Sequence, residues 1–275
     1  MAGLVNFKEK KVVVTGCFSG MGNAAARMLI DLGARVHGLD YKPVDLPLAN
    51  YTKVDLRDPA SIQAAAAGIE GPVHALFNCA GLPGTFSQTD IFKVNYLGPR
   101  ILTDLLIPRM PAGSAIACIS STAGMGWPRR LAALKEFVAL SDAASRLAWA
   151  EDQLAKGQEA YVVSKEAIVV WTATYAHRLI RQGIRMNCIL PGPTATPFME
   201  AQSTITPDAA IDVFTQPINR RSRPEEQAAV LVFLASEAAS YVNGIAMPVD
   251  GGFMSSVAIG EIDLANAFAS KPKSG

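Results

Sequence analysis

Tyr161 and Lys165 stand four residues apart in Tyr161-Val162-Val163-Ser164-Lys165. On a helix that spacing is about one turn and puts both side chains on one face. A free tyrosine hydroxyl ionises near pH ~10 and is a poor base at neutrality. A neighbouring ammonium favours the phenolate and draws that value down. Tyr161 can then take the proton of an alcohol or give one to a carbonyl oxygen. A tyrosine–lysine pair alone is common, and it gains weight from its company. Ser120 and Ser121 close an apolar run and lead into Thr122-Ala123-Gly124. Asn78-Cys79-Ala80-Gly81 closes another, Asn95 lies in the helix-like stretch after it, and Pro191-Gly192-Pro193-Thr194-Ala195-Thr196 follows a third.

The second feature with chemical content is Thr15-Gly16-Cys17-Phe18-Ser19-Gly20-Met21-Gly22, placed between a β-rich run and a helical stretch. There Gly16 permits a tight turn, Gly20 lets backbone approach a pyrophosphate, and Gly22 lets the helix pack close to the strand. Free N–H groups and the positive helix end meet the phosphate charge. Asp40 follows Gly22 by 18 residues and ends the second β-rich run. A carboxylate there accepts hydrogen bonds from a ribose 2′-hydroxyl and repels a 2′-phosphate. Cys17, Phe18 and Ser19 offer no cation to such a phosphate, so the reading favours NAD(H) over NADP(H); Lys42 is the residue that argues otherwise.

These residues need elements to hold them. Nearly continuous apolar runs predict strands over Lys11–Thr15, Ala34–Leu39 (closing at Asp40), Tyr51–Asp55, Val73–Cys79, Ser114–Ser120, Ile184–Leu190 and Ile245–Val249. Helical stretches alternate with them: Asn23–Leu32, one opening at Asp58-Pro59, Asp90–Leu106, Ala160–Gln182 and Pro224–Ala239. That alternation predicts right-handed crossovers and one doubly wound α/β domain of Rossmann type over residues 1–275, with a seven-stranded, mainly parallel sheet. Two segments stand outside the pattern. Residues 128–157 carry Leu131, Leu134, Phe137 and Val138, then Leu147, Ala150 and Leu154, at helical spacing, which predicts two inserted helices. Residues 194–223 are long, proline-rich and apolar, as active-site lids often are.

Composition excludes several classes. The 275 residues are 50% hydrophobic and 18% charged, which rules out disorder. A formal charge of +1 gives no global field for nucleic acid or anionic membrane. No apolar run approaches the ~18 residues of a membrane span, and residues 1–11 show no secretory signal. Cys17, Cys79, Cys118 and Cys188 are spaced too widely for a zinc or redox motif and read as reduced thiols of a cytoplasmic protein. His37, His74 and His177 are isolated and read as packed or surface residues, with no metal implied. The run Arg220-Arg221-Ser222-Arg223 reads as a solvated loop.

Taken together, these motifs resemble the short-chain dehydrogenase/reductase family over nearly the whole chain. The resemblance implies a catalytic tetrad of Asn95, Ser121, Tyr161 and Lys165, with Ser121 chosen over Ser120 for its spacing to Gly124. It implies that Ser121 binds the substrate oxygen, Tyr161 transfers the proton, Lys165 holds the nicotinamide ribose and lowers the tyrosine pKa, and Asn95 holds a water. It implies cofactor contacts from Gly16, Ser19, Gly20, Met21, Gly22, Asp40, Asp55, Leu56, Asn78, Ala80, Gly81, Tyr161, Lys165, Pro191, Gly192, Thr194 and Thr196. Ser121 and Tyr161 are 40 residues apart, far more than is usual in the family. The inserted segment resembles the branch of 3α-hydroxysteroid dehydrogenase/carbonyl reductase and coniferyl-alcohol dehydrogenases, which implies a homodimer in place of a tetramer. Leu82, Pro83, Met125, Trp127, Phe198, Met199 and Phe214 flank the expected crevice and suit a small hydrophobic alcohol or ketone. An NADP-linked carbonyl reductase, or a regulatory NAD-binding protein that has lost chemistry, are the other readings. A purely regulatory protein has no need of Tyr161, Lys165 and Ser121 together.

Overall fold

In the computed structural model, which describes residue 3 and residues 5–263, all seven expected strands are present. They are β1 (Lys11–Thr15), β2 (Arg35–Asp40), β3 (Asn50–Lys53), β4 (Ala75–Asn78), β5 (Ala115–Ile119), β6 (Arg185–Pro191) and β7 (Ala246–Val249). They form one sheet in the order β3-β2-β1-β4-β5-β6-β7. Every neighbouring pair is parallel, so the sheet expected to be mainly parallel is parallel throughout. The outermost residues of the single expected domain, 1, 2, 4 and 264–275, lie outside the described residues.

The apolar strands are explained by burial on both faces. Val13, Leu76, Ile116 and Met186 join one core cluster, and Val12, Val14, Phe77 and Ala117 join another. Successive side chains of a strand point to opposite faces, so a continuous apolar run feeds two cores. The helices are α1 (Gly20–Asp31), α2 (Pro59–Ala67), α3 (Gln88–Phe92), α4 (Gly98–Leu106), α5 (Leu131–Ala139), α6 (Ala143–Ala155), α7 (Ala160–Leu179), α8 (Pro197–Ser203), α9 (Asp208–Asp212), α10 (Pro224–Ala235) and α11 (Phe253–Ala258). Helices α2, α4 and α7 cover the first face, and α1 and α10 the second. The strand order reverses between β1 and β4, and the carboxyl ends there open a crevice for a ligand.

Three local departures from the expected elements have physical causes. The helix expected over 90–106 is interrupted by a π-turn at Lys93–Leu97. Pro99 cannot donate to the Asn95 carbonyl and its ring crowds that oxygen, so the ladder slips and the Gly98 N–H reaches Lys93. The inserted segment is preceded by a 3₁₀ run, Thr122–Arg130, and then forms α5 and α6. Phe137 stacks on Trp149 with centroids 4.3 Å apart and lies 4.9 Å from Tyr96, which seats the insertion on the π-turn. Buried Arg100 and Arg146 donate to the Val138, Leu140 and Ser141 carbonyls of the α5–α6 turn. Finally, the arginine run at 220–223 is tied down: Arg221 bridges Asp208 and Asp212 of α9 at 2.6 and 2.8 Å, and Arg220 pairs with Glu226 at 2.7 Å. These pairs hold α9 and α10 to the loop, so the run is only in part the solvated loop its sequence suggests.

Candidate active site

The glycine loop is built as a close approach between β1, α1 and the end of β4. Gly16 has φ +69°, and a Cβ there would lie 2.6 Å from the Ala80 Cα. A Cβ on Gly22 would sit 2.2 Å from the Gly16 carbonyl oxygen, so no side chain fits between loop and helix. Thr15 welds the two strand ends: its hydroxyl accepts from the Cys79 and Ala80 N–H groups at 3.0 and 3.2 Å. Asn23 donates to the Cys17 and Phe18 carbonyls and fixes the loop from the helix side. Ser19 begins α1 with extended backbone, and its side chain caps no N–H of the first turn. Those N–H groups and the positive end of the helix face the crevice, with Met21 half-buried beside them. The Asp40 carboxylate is aimed by two backbone donors, Phe18 N–H and Lys42 N–H, each at 2.9 Å. Lys42 is turned over the Phe18 ring, 4.9 Å from its centroid.

The neighbouring strand ends carry the other expected residues. Asp55 is held by Arg57 through both carboxylate oxygens, which keeps its carboxyl below the usual range. Leu56 is buried in the core, with its carbonyl packed on Gly98. Asn78 donates to Thr103 at 3.0 Å beneath the sheet edge. Asn95, carried by the π-turn, makes a two-way bond with the Leu82 backbone, and its side-chain oxygen lies close to Gly81. Gly192 pairs with Val249, Thr194 with Ser222, and Thr196 caps α8 through the Met199 N–H at 3.2 Å. The Thr196 methyl lies 3.2 Å from where a Cβ on Gly20 would stand, so this turn and the glycine loop share one crevice.

Ser121, Tyr161 and Lys165 meet at the same edge. The Ser121 side chain lies near enough to the Tyr161 hydroxyl to favour its ionised form. Ser120 points elsewhere: it is buried and donates to the Lys165 carbonyl at 2.7 Å. The Lys165 ammonium lies 5.5 Å from the Tyr161 ring centroid and donates to the Ile119 carbonyl at 3.1 Å. Burial pushes the Tyr161 phenol above its ordinary value, and Ser121 draws it back in part. The same burial lowers Lys165 to about 8. A lowered tyrosine was expected from the lysine charge; in the protein alone desolvation dominates, and the influence that opposes it is Ser121, not Lys165. Phe198 of α8 lies over the site, 6.0 Å from the Tyr161 ring. Gln202, which the sequence reading missed, crosses the crevice and accepts from the Gly84 N–H at 2.8 Å. Glu166, the lone carboxylate of α7, was also missed, as was the pairing of Arg130 with it. A cavity of about 540 Å³ lined by Asp212, Thr215, Gln216 and Arg221 opens beside α9, and none of Asn95, Ser121, Tyr161 and Lys165 lines it.

The short chain dehydrogenase model matches residues 10–133, and the Enoyl-(Acyl carrier protein) reductase model matches residues 147–254. A coniferyl-alcohol dehydrogenase of Pseudomonas sp. (strain HR199 / DSM 7063) is 36% identical over 248 residues, 90% of this chain and 97% of that protein. The chain belongs to the short-chain dehydrogenase family. Another family member, the 3-alpha-hydroxysteroid dehydrogenase/carbonyl reductase of Comamonas testosteroni, is 33% identical over 250 residues, 88% of this chain and 95% of that one. Among solved structures, a 3-alpha-hydroxysteroid dehydrogenase from Pseudomonas sp. B-0831 complexed with NADH superposes with TM-score 0.78 at 28% identity, covering 92% of this chain and all, 100%, of that one. The short-chain dehydrogenase fold and its nicotinamide-dinucleotide crevice are therefore those of this chain. Among the described residues, no helix is long and apolar enough to cross a membrane.

Proposed function

We propose that the chain is an NAD(H)-dependent oxidoreductase that interconverts a hydrophobic alcohol, alicyclic, steroid or aromatic, and its carbonyl compound. The observation that carries this reading is the meeting of Ser121, Tyr161 and Lys165 in the crevice that the glycine loop and Asp40 also line. The residues fit a dinucleotide. Gly16, Ser19, Gly20, Met21 and Gly22 would cradle the pyrophosphate, Asp40 the adenosine ribose, and Asp55 and Leu56 the adenine. Asn78, Ala80 and Gly81 would line the middle of the crevice, with Pro191, Gly192, Thr194 and Thr196 at the nicotinamide end. When bound, the nicotinamide ring gives or accepts hydride.

The protein's own contribution is the proton. Ser121 donates to the substrate oxygen and holds it against the Tyr161 hydroxyl. In alcohol oxidation the Tyr161 phenolate takes the hydroxyl proton; in reduction the phenol returns it. Lys165, set near pH 8, keeps a positive charge beside the phenol at neutrality and favours its ionised form. Asn95 holds the Leu82 loop that walls this path. Phe198 closes the apolar side over Tyr161, which suits a ring-bearing substrate and excludes water. Asp40, aimed by two N–H donors, supports NAD over NADP.

The test is a panel of alcohols (coniferyl, benzyl, cyclohexanol and a 3α-hydroxysteroid) with NAD and NADP in parallel, followed by reduced-nicotinamide absorbance. Turnover of at least one alcohol with NAD ahead of NADP is the expected result. Faster turnover with NADP would point to an NADP-linked reductase, and NADH binding with no turnover to a regulatory protein. We further infer a cytoplasmic homodimer. The inserted helices α5 and α6, with the likeness to the 3α-hydroxysteroid dehydrogenase branch, support the dimer, and the four free thiols support a reducing compartment. Sedimentation velocity would overturn the dimer by returning a tetramer.

A further inference from the structure

The geometry points to Arg130 and Glu166 as a positioning pair that anchors the root of the insertion to the catalytic helix and so sets Ser121 against Tyr161. This rests on the proposed roles of those two residues. Arg130 is the last residue before α5, and Gln158 lies just past α6, so the two mark the entrance and exit of the inserted helices. The Arg130 guanidinium donates to Gln158 Oε1 and pairs with the Glu166 carboxylate at 3.3 Å. Gln158 and Glu166 bracket the first turns of α7, which carry Tyr161 and Lys165. One side chain therefore clamps both ends of the tyrosine–lysine stretch.

The clamp acts on Ser121 because Arg130 ends the 3₁₀ run that Ser121 caps. Along that run the backbone is pressed onto α7. A Cβ on Gly124 would lie 2.8 Å from the Lys165 carbonyl oxygen, and one on Gly126 would lie 2.6 Å from Glu166 Oε1. Ser120 adds its bond to the Lys165 carbonyl at 2.7 Å. Glu166 is 3% exposed and Arg130 is its salt-bridge partner. A carboxylate desolvated to that degree is held in place by its partner, and removing one member leaves the other uncompensated. The Arg130 side chain is 28% exposed although the Nη1 that faces Glu166 is buried, so a neutral Glu166 leaves the guanidinium charge partly in water. The Arg130 bond to Gln158 and its charge contact with Glu166 tie the two segments together at one point, which apolar packing alone would not do.

The test compares Glu166→Gln, Arg130→Met and the double variant Arg130→Met/Glu166→Met with the wild type and Tyr161→Phe. Four quantities are measured: thermal midpoint, NADH binding by fluorescence, kcat and KM on the best alcohol of the panel above, and the titration of the Tyr161 phenol in cofactor-free protein. The phenol is read as the ultraviolet difference against Tyr161→Phe in the same background. Glu166→Gln keeps the shape and is expected to fold, bind NADH as before and lose kcat by about tenfold to a hundredfold, the scale of a misplacement near 1 Å. Its Tyr161 phenol titrates at higher pH, because the pull of Ser121 is weakened. The double variant is expected to recover the melting temperature that Arg130→Met loses, while kcat and the phenol titration stay displaced. If Glu166→Gln keeps wild-type kcat and phenol titration, or if the double variant restores all properties together, the pair is only structural and the inference falls. An active Tyr161→Phe would instead overturn the proton-transfer reading itself.

Discussion

Replacing Lys165 with methionine should make the protein more stable while disabling it. The ammonium is 4% exposed and its pKa falls from 10.5 to about 8 because burial disfavours its charge. That drop is roughly 2.5 pH units, and at about 1.4 kcal/mol per unit the charged lysine costs about 3 kcal/mol of folding free energy. The sign follows from proton uptake. Between the folded and unfolded pKa values the unfolded chain binds the extra proton, so stability rises with pH across that window. The cost is present in full below pH 8 and is gone above 10.5. Methionine has a similar reach and no charge, but it forfeits the charge-assisted bond to the Ile119 carbonyl, worth about 2 kcal/mol. The net gain at pH 7 is about 1 kcal/mol, or about 2–4 °C in melting temperature for a chain of this size. The neighbouring thiols do not confound the comparison, since burial pushes Cys118 and Cys188 to about 12. Melting of cofactor-free wild type and Lys165→Met at pH 7 and pH 10 is the assay. The variant should melt higher at pH 7 and lose that advantage by pH 10. No gain at pH 7, or a gain that does not shrink with pH, would refute the reasoning.

Two other outcomes follow from the crevice. Asp40→Ala removes the carboxylate aimed by the Phe18 and Lys42 N–H groups and leaves the Lys42 ammonium over the Phe18 ring nearby. The ratio of kcat/KM for NAD over NADP should fall by tenfold or more, about 1.4 kcal/mol, and an unchanged ratio would remove Asp40 from cofactor choice. Gly22→Ala puts a methyl group 2.2 Å from the Gly16 carbonyl oxygen. It should abolish NADH fluorescence binding or lower stability by about 1–3 kcal/mol, and wild-type behaviour in both would show that the helix and loop are not in contact.

Most of the frame was legible because burial on two faces writes itself as continuous apolar runs: Val12-Val13-Val14 feeds both cores, and β1 to β7 lie within a few residues of their expected bounds. The ends were less legible. The third strand stops at Lys53, short of the expected Asp55, whose N–H donates to the Ser61 hydroxyl and not to the ladder. The break in the helix over 90–106 was written in Pro99, but its form, a π-turn that carries Asn95, is a response of the backbone that periodicity does not encode. Site residues in local motifs, Gly16 to Gly22 and Tyr161 with Lys165, could be placed from spacing. Arg130, Glu166 and Gln202 could not, because their partners are distant in sequence and a charged or amide side chain by itself reads as surface. The state of the tyrosine was likewise hidden: the spacing shows a charge nearby, while the desolvation that opposes it depends on Phe198 and the packed edge around it.

The claim at the centre is that the Tyr161 hydroxyl moves the proton in a crevice that binds a nicotinamide dinucleotide. Tyr161→Phe, assayed on the alcohol that the wild type turns over and titrated with NADH by fluorescence, tests it directly. The account predicts unchanged NADH affinity and a fall in kcat of about a hundredfold to ten-thousandfold, the usual contribution of a positioned acid or base. A variant that binds NADH and keeps a rate near that of the wild type would contradict it.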